Sequence, residues 1–166
     1  MKPEIWYDWD NNKNQSVFEN NFYNLHAPDI KEDTTMDANM KKRNELLAKT
    51  VIKGLESRNM SGYYAQDKEA ALKQALELIP NGSTIAMGGC MSAHEIGLVK
   101  ALQDGEYNYI DRAKLEPREG LMAAYDADFF LSSANAVTDD GVLVNIDGNS
   151  NRVSCIAQGP KKVSLL

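Results

Sequence analysis

The sequence predicts an α/β domain of three layers, with a mainly parallel β-sheet covered by helices. Two short apolar runs, Thr84-Ile85-Ala86-Met87 and Phe129-Phe130-Leu131, are bounded by turn residues and are too short for helices. Uninterrupted hydrophobicity over such a length fits strands buried on both faces. Around them, apolar residues recur at helical spacing, as at Leu72, Ala75, Leu76 and Ile79. Strands alternating with helices build βαβ units and hence parallel pairing.

The elements follow in chain order. Residues 1–36 stand apart. They carry Trp6, Tyr7, Trp9, Phe18, Phe22 and Tyr23, are rich in Asn, and hold three basic against seven acidic residues, with little aliphatic periodicity. They are expected to form an irregular arm, either anchored to a surface by its aromatics or partly disordered. The α/β domain is expected over 37–166. Asp37 is placed to cap a helix whose apolar stripe is Met40, Leu47, Val51 and Leu55. A short strand is expected at Gly62–Ala65. Asp67 is the next cap, and Pro80-Asn81-Gly82 ends its helix in a turn.

After the Thr84–Met87 strand, Gly88-Gly89 breaks the chain. A helix then runs from near Ser92 to the stop at Asp104-Gly105. Tyr107–Ile110 is a strand, and Pro117 opens a helix ending near Asp126. Phe129–Leu131 and Val142–Ile146 are strands, a short helix lies near Asn151–Ala157, and Lys162–Leu166 is the last strand. The chain stops within that apolar run, where a buried strand normally continues into a covering helix. An element is therefore expected to be missing at the C-terminus.

Bulk properties exclude several functions. At 166 residues and 43% hydrophobic content, the chain has material for one domain with a real core. No apolar run approaches the roughly 20 residues a membrane helix needs, and the N-terminus has no export signal, so a cytoplasmic protein without a membrane partner is expected. The net charge of −6 and the small cationic clusters Lys41-Lys42-Arg43 and Lys161-Lys162 argue against nucleic acid. Neither the cysteines, Cys90 and Cys155, nor the histidines, His26 and His94, have metal-ligand spacing. An iron–sulfur cluster takes about four thiolates, so no metal and no cofactor is expected, and the thiols are read as free. Homo-oligomer formation is left open.

Two loops could carry chemistry. The first is Gly88-Gly89-Cys90-Met91-Ser92-Ala93-His94-Glu95. Glycines there allow close approach to the backbone, and the following helix start offers free N–H groups, which suits a carboxylate or phosphate. The glycine spacing matches neither dinucleotide nor P-loop patterns. Ser92 and Glu95 have the spacing of a capping box, so Glu95 is a cap before it is a catalytic acid. Cys90 is first a small buried apolar group and only second a nucleophile. His94 is read as a solvated helix residue.

The second loop runs from Ser132 to Arg152. Asp140-Gly141 marks a tight turn. In the strand after it, Val142, Val144 and Ile146 share one face, while Leu143, Asn145 and Asp147 share the other. The polar pair needs partners if buried: Asn135, the Gly88–Ser92 loop, Arg152 or a ligand. The alternative is an internal network that locks the turn. Arg152 suits a carboxylate or phosphate, with an ion pair to Asp147 or Asp139 as the other reading. The candidate ligand-binding set is Gly88, Gly89, Cys90, Ser92, Asn135, Thr138, Gly141, Asn145, Asp147, Gly148, Asn151 and Arg152. The candidate catalytic acids are Glu95, Asp140 and Asp147.

Gly88–Ser92, Glu95-Ile96-Gly97, Asn108–Arg112, Asn135–Gly141, Asn145–Val153 and Gly159–Val163 together resemble the LUD-domain (lactate-utilisation) family, from about Met36 to Leu166. The resemblance implies a Rossmann-like fold similar to ribose-5-phosphate isomerase, glucosamine-6-phosphate isomerase and the CoA transferases. It also implies a link to oxidation of L-lactate to pyruvate beside iron–sulfur subunits. In the isomerases the loop corresponding to Ser133-Ala134-Asn135 carries an Asp as proton carrier; the amide of Asn135 cannot serve as a general base. Three functions are thus in view: an accessory subunit of lactate oxidation that binds a small anion or an iron–sulfur partner, a stand-alone enzyme or binding protein for a phosphorylated sugar or acyl-CoA, and an inactive assembly module.

Overall fold

The computed structural model describes residues 38–166, so the expected aromatic arm and the Asp37 cap lie outside the described residues. Helix α1 (Ala38–Glu56) and α2 (Lys68–Leu78) precede the first strand, β1 (Thr84–Met87). Helices α3 (Met91–Glu95) and α4 (Leu98–Asp104) lead to β2 (Asn108–Tyr109). A 3-10 turn at Arg112–Lys114 and α5 (Pro117–Tyr125) lead to β3 (Phe129–Ser132). The hairpin strands β4 (Ala136–Val137) and β5 (Leu143–Val144), then α6 (Asn151–Gln158) and β6 (Lys162–Leu165), complete the fold.

The sheet order is β2-β1-β3-β6, and every pair in it is parallel. Residues of alternate parity on β1 and β3 face opposite layers, as a pleated strand requires. Ile85, Phe129 and Leu131 pack under α2, α3 and α4 with Ala75, Ile79, Ala93, Leu98 and Leu102. Ala86 and Phe130 pack under α5 and α6 with Ala124 and Cys155. This is the expected three-layer, Rossmann-like α/β architecture. Each fully buried large apolar side chain contributes about 1.5–3 kcal/mol by leaving water. Asp67 caps α2 through its carboxylate, which accepts the Ala70 N–H at 2.8 Å. Pro117 occupies the first turn of α5, where its missing N–H costs nothing.

Four expectations change. Gly62–Ala65 is not a strand. The segment lies back on α1, where a side chain at Gly62 would meet Ile52 Cγ1 at 2.8 Å, and no strand runs beside it. The helix after Gly88-Gly89 is split, because Gly97 adopts a left-handed φ of 78° and starts α4 afresh. Tyr107–Ile110 shrinks to two residues that pair with Thr84 and Ile85. Val142–Ile146 stays out of the parallel sheet; Leu143 and Val144 pair antiparallel with Val137 and Ala136.

Asp128 ties three strands together at their amino ends. Its carboxylate accepts the Thr84 N–H at 2.9 Å and the Lys161 ammonium at 2.7 Å. The Lys161 hydrogen bond, helped by the Thr84 N–H, holds the Asp128 pKa below the usual aspartate value. A depressed carboxylate stabilises the fold above its unfolded pKa and loses that effect as pH falls through its folded pKa. Asp128→Asn should therefore melt below wild type at neutral pH, with the gap closing as pH falls below about 4. Thermal melts across that range measure it.

Candidate functional site

The chain leaves β1 towards β2 on one side, then crosses back to β3 on the other. In such sheets the crevice at the carboxyl ends of the two diverging strands is where ligands sit. Here those ends are Met87-Gly88-Gly89 after β1 and Ser132-Ser133-Ala134-Asn135 after β3, with Met87 and Leu131 paired in register.

Arg152, in the first turn of α6, occupies that crevice. Its guanidinium reaches five acceptors: Nε donates to Asp147 Oδ1 at 3.0 Å, Nη1 to Asn145 Oδ1 at 3.0 Å and to Ser133 O, and Nη2 to Asn135 Oδ1 at 2.6 Å and Ile146 O at 3.1 Å. A guanidinium has five N–H donors, so all are committed within the protein. Asp147 is equally engaged: its other carboxylate oxygen accepts the N–H groups of Arg152 at 2.7 Å and Val153 at 2.6 Å. The carboxylate thereby caps α6 from outside the helix. Asn135 Oδ1 also accepts the Ile146 N–H at 2.8 Å. The pair side chains are 12% and 8% exposed. Of the partners the sequence left open for Asn145 and Asp147, Arg152 is the one they meet.

The Gly88 loop joins this network from the other side. A side chain at Gly88 would meet Phe130 Cζ at 2.9 Å and Arg152 Cγ at 3.0 Å, so glycine lets the Arg152 stem lie across the sheet. Gly89 is exposed, and nothing stands within 4 Å of the place a side chain would take. Cys90 is buried and its Sγ accepts the Ser133 hydroxyl at 3.3 Å. No hydrogen bond joins it to His94, which is exposed on α3. The Ser92–Glu95 capping box does not form: Cys90 is the residue before α3, so Ser92 lies inside the first turn. Glu95 points out and meets Lys68 at 3.6 Å, both more than half exposed.

Thr138, Asp140 and Gly141 belong to the hairpin tip and stay out of the Arg152 network. Gly141 has a φ of +80° and presses on Leu55 N and Val51 O of α1. Arg58 Nη1 donates to Asp140 O at 2.7 Å, and Nη2 meets its carboxylate at 3.3 Å. The Thr138 hydroxyl donates to the Asp140 carboxylate and accepts the Val142 N–H at 2.8 Å. That hydroxyl, with the Arg58 charge, keeps the Asp140 pKa below its ordinary value. Gly148 and Asn151 sit exposed at the rim.

Sequence reasoning passed over Ser133 and Arg112. Arg112 is half-buried beyond the end of β2, against Gly120 of α5. Its one hydrogen bond among the described residues is from Nη1 to Met87 O at 3.3 Å, and no carboxylate there pairs with it. It is near enough to Cys155 to oppose the rise that burial imposes on the Cys155 pKa, while Asp147 adds to that rise. Position at the carboxyl end of a strand was the signal available for Arg112.

The fold and site define a three-layer, Rossmann-like α/β protein with polar loops gathered at the β1–β3 switch point. The LUD domain family model matches residues 48–166, and the chain belongs to that family, which is associated with lactate utilisation. Comparison with curated proteins and with solved structures gave no significant match. No helix among the described residues is long and apolar enough to cross a membrane.

Arg152→Lys keeps the charge but offers three donors from one nitrogen, which leaves two of the five acceptors without a partner. With buried unsatisfied groups costing about 1–3 kcal/mol each, the variant should lose about 2–4 kcal/mol in urea denaturation. Glu95→Ala, on the exposed side of α3, should stay within about 0.5 kcal/mol of wild type.

Proposed function

We propose that this LUD-domain protein is an accessory subunit in the oxidation of L-lactate to pyruvate. It binds a small carboxylate at the β1–β3 crevice and works beside an iron–sulfur partner that carries the redox centres. The observation that carries this reading is the contrast between two arginines. Arg152 has every donor committed internally, whereas Arg112 donates to one carbonyl and meets no carboxylate among the described residues. A partly desolvated guanidinium with open donors suits a planar carboxylate. Gly89, with open space around it, allows a ligand near the backbone of the same crevice. Family membership supplies the link to lactate.

A phosphorylated-sugar or acyl-CoA enzyme ranks second. Asn135 Oδ1 already accepts two N–H groups, and an amide there moves no proton. Glu95, Asp140 and Asp147 are each engaged with a basic side chain.

L-lactate or pyruvate should raise the melting temperature of the purified protein. Arg112→Gln should fold normally but weaken binding by about 2 kcal/mol, roughly thirtyfold in Kd. Calorimetric titration of both proteins measures it. Deleting the gene should slow growth on L-lactate. Failure of both acids to shift the melting temperature, with unimpaired growth on L-lactate, would remove this function.

A further inference from the structure

Among the described residues, helix α1 has an apolar face that is only partly covered. It is 19 residues long and buries none of them. Met40 and Leu47 on its apolar stripe are 41% and 46% exposed, and Tyr63 and Tyr64 beside the helix are 55% and 43% exposed. Leu47, Val51, Ile52, Leu55 and Tyr63 line a groove of about 270 Å³ along it. An amphipathic helix in a protein draws most of its stability from packing its apolar face, so this face calls for a cover.

The same helix is basic. At about 100° per residue Lys41 and Arg43 border the stripe of Leu47, Val51 and Leu55, while Lys42, Lys49 and Lys53 lie on the opposite side, where Lys42 and Lys49 pair with Glu45 at 3.3 and 2.7 Å; the chain's net charge is −6. The matching occupant is therefore acidic and rich in large apolar side chains. The chain directly preceding α1 has that composition. Residues 1–37 contain six aromatics, Trp6, Tyr7, Trp9, Phe18, Phe22 and Tyr23, with eight acidic residues against three basic. The segment joins α1 at Ala38. At about 1.5 Å per helical residue, the groove from Leu47 to Leu55 lies about 14–26 Å along the helix. About eight extended residues span the longer distance, so every aromatic of the segment is within reach. Tethering supplies an effective concentration of order millimolar.

We infer that residues 1–37 dock on the apolar face of α1, with aromatic side chains in the groove between α1 and Tyr63. The contact is independent of lactate binding. Its electrostatic part joins acidic side chains of the segment to Lys41 and Arg43 at the groove's borders, and each buried aromatic removes roughly 150–250 Å² from water.

The only tryptophans of the chain, Trp6 and Trp9, both lie in this segment. Tryptophan emission of the full-length protein, excited beyond the tyrosine absorption band, therefore reports on it alone. Docking predicts emission shifted to the blue of a free tryptophan amide, and acrylamide quenching several-fold weaker. Both should be independent of protein concentration and of added anionic phospholipid vesicles. Leu47→Glu, and separately the double reversal Lys41→Glu, Arg43→Glu, should return both readouts towards the free amide. Circular dichroism and the melting transition monitor retention of the fold. Solvent-like emission in wild type, or emission unmoved by either variant, would overturn the proposal. So would a blue shift that appears only as concentration rises, which assigns the face to a second copy, or only with vesicles, which assigns it to a membrane.

Discussion

The five N–H groups of one guanidinium hold the candidate site together. Arg152 gathers Ser133 and Asn135 from the end of β3, Asn145 and Ile146 from beyond β5, and Asp147 from the approach to α6. The Arg152 and Asp147 side chains are 12% and 8% exposed, so removing the guanidinium leaves the carboxylate with little water to replace it. A buried pair of this kind adds little net stability over a well-packed apolar pair, but breaking it is expensive. Its value is geometric. It fixes where three loops sit relative to the sheet, and glycine at position 88 is what lets the arginine stem pass between Phe130 and the loop.

That requirement decides which way the hairpin faces. Beyond β5 the chain still alternates, with Asn145 and Asp147 turned to the guanidinium and Ile146 turned away. Because the guanidinium needs the polar pair, the apolar side turns outward, and Ile146 is left 65% exposed. The far end of the hairpin is fastened to α1, where Gly54 and Gly141 meet backbone to backbone and Arg58 grips Asp140. The elements that carry the polar loops are therefore held at both ends. Arg112 sits beyond this closed network, and its guanidinium makes one hydrogen bond among the described residues, to Met87 O.

Much of the fold was legible in the sequence. Thr84–Met87 and Phe129–Ser132 are central strands, and their continuous apolar runs gave them away. Asp67 and Pro117 act at helix starts through local chemistry that needs no tertiary context. The misread elements depend on distant partners. Gly62–Ala65 has strand-like residues but no neighbouring strand, and lies against Ile52 instead. Ser92 and Glu95 have capping spacing, yet the backbone enters α3 two residues earlier, at Cys90. Gly97 was visible as a glycine, but its positive φ belongs to the folded chain. At the site, Asn145 and Asp147 do meet one guanidinium, although the strand expected to deliver them stops at Val144. That Arg152 would commit its donors to Ser133, Asn135, Asn145, Ile146 and Asp147 together could not be read from spacing, because it depends on how the end of β3, the segment after β5 and the start of α6 meet at one edge of the sheet.

The central claim is that Arg152 makes the β3 loop, the hairpin and the start of α6 one cooperative unit. Native-state hydrogen exchange tests it most directly, through the N–H groups of Ile146, Arg152 and Val153, which are held by Asn135 and Asp147. The account predicts that these three amides are protected and open together, with one shared opening free energy. Independent opening at different energies, or free exchange of all three while the β1 and β3 amides stay protected, would contradict it.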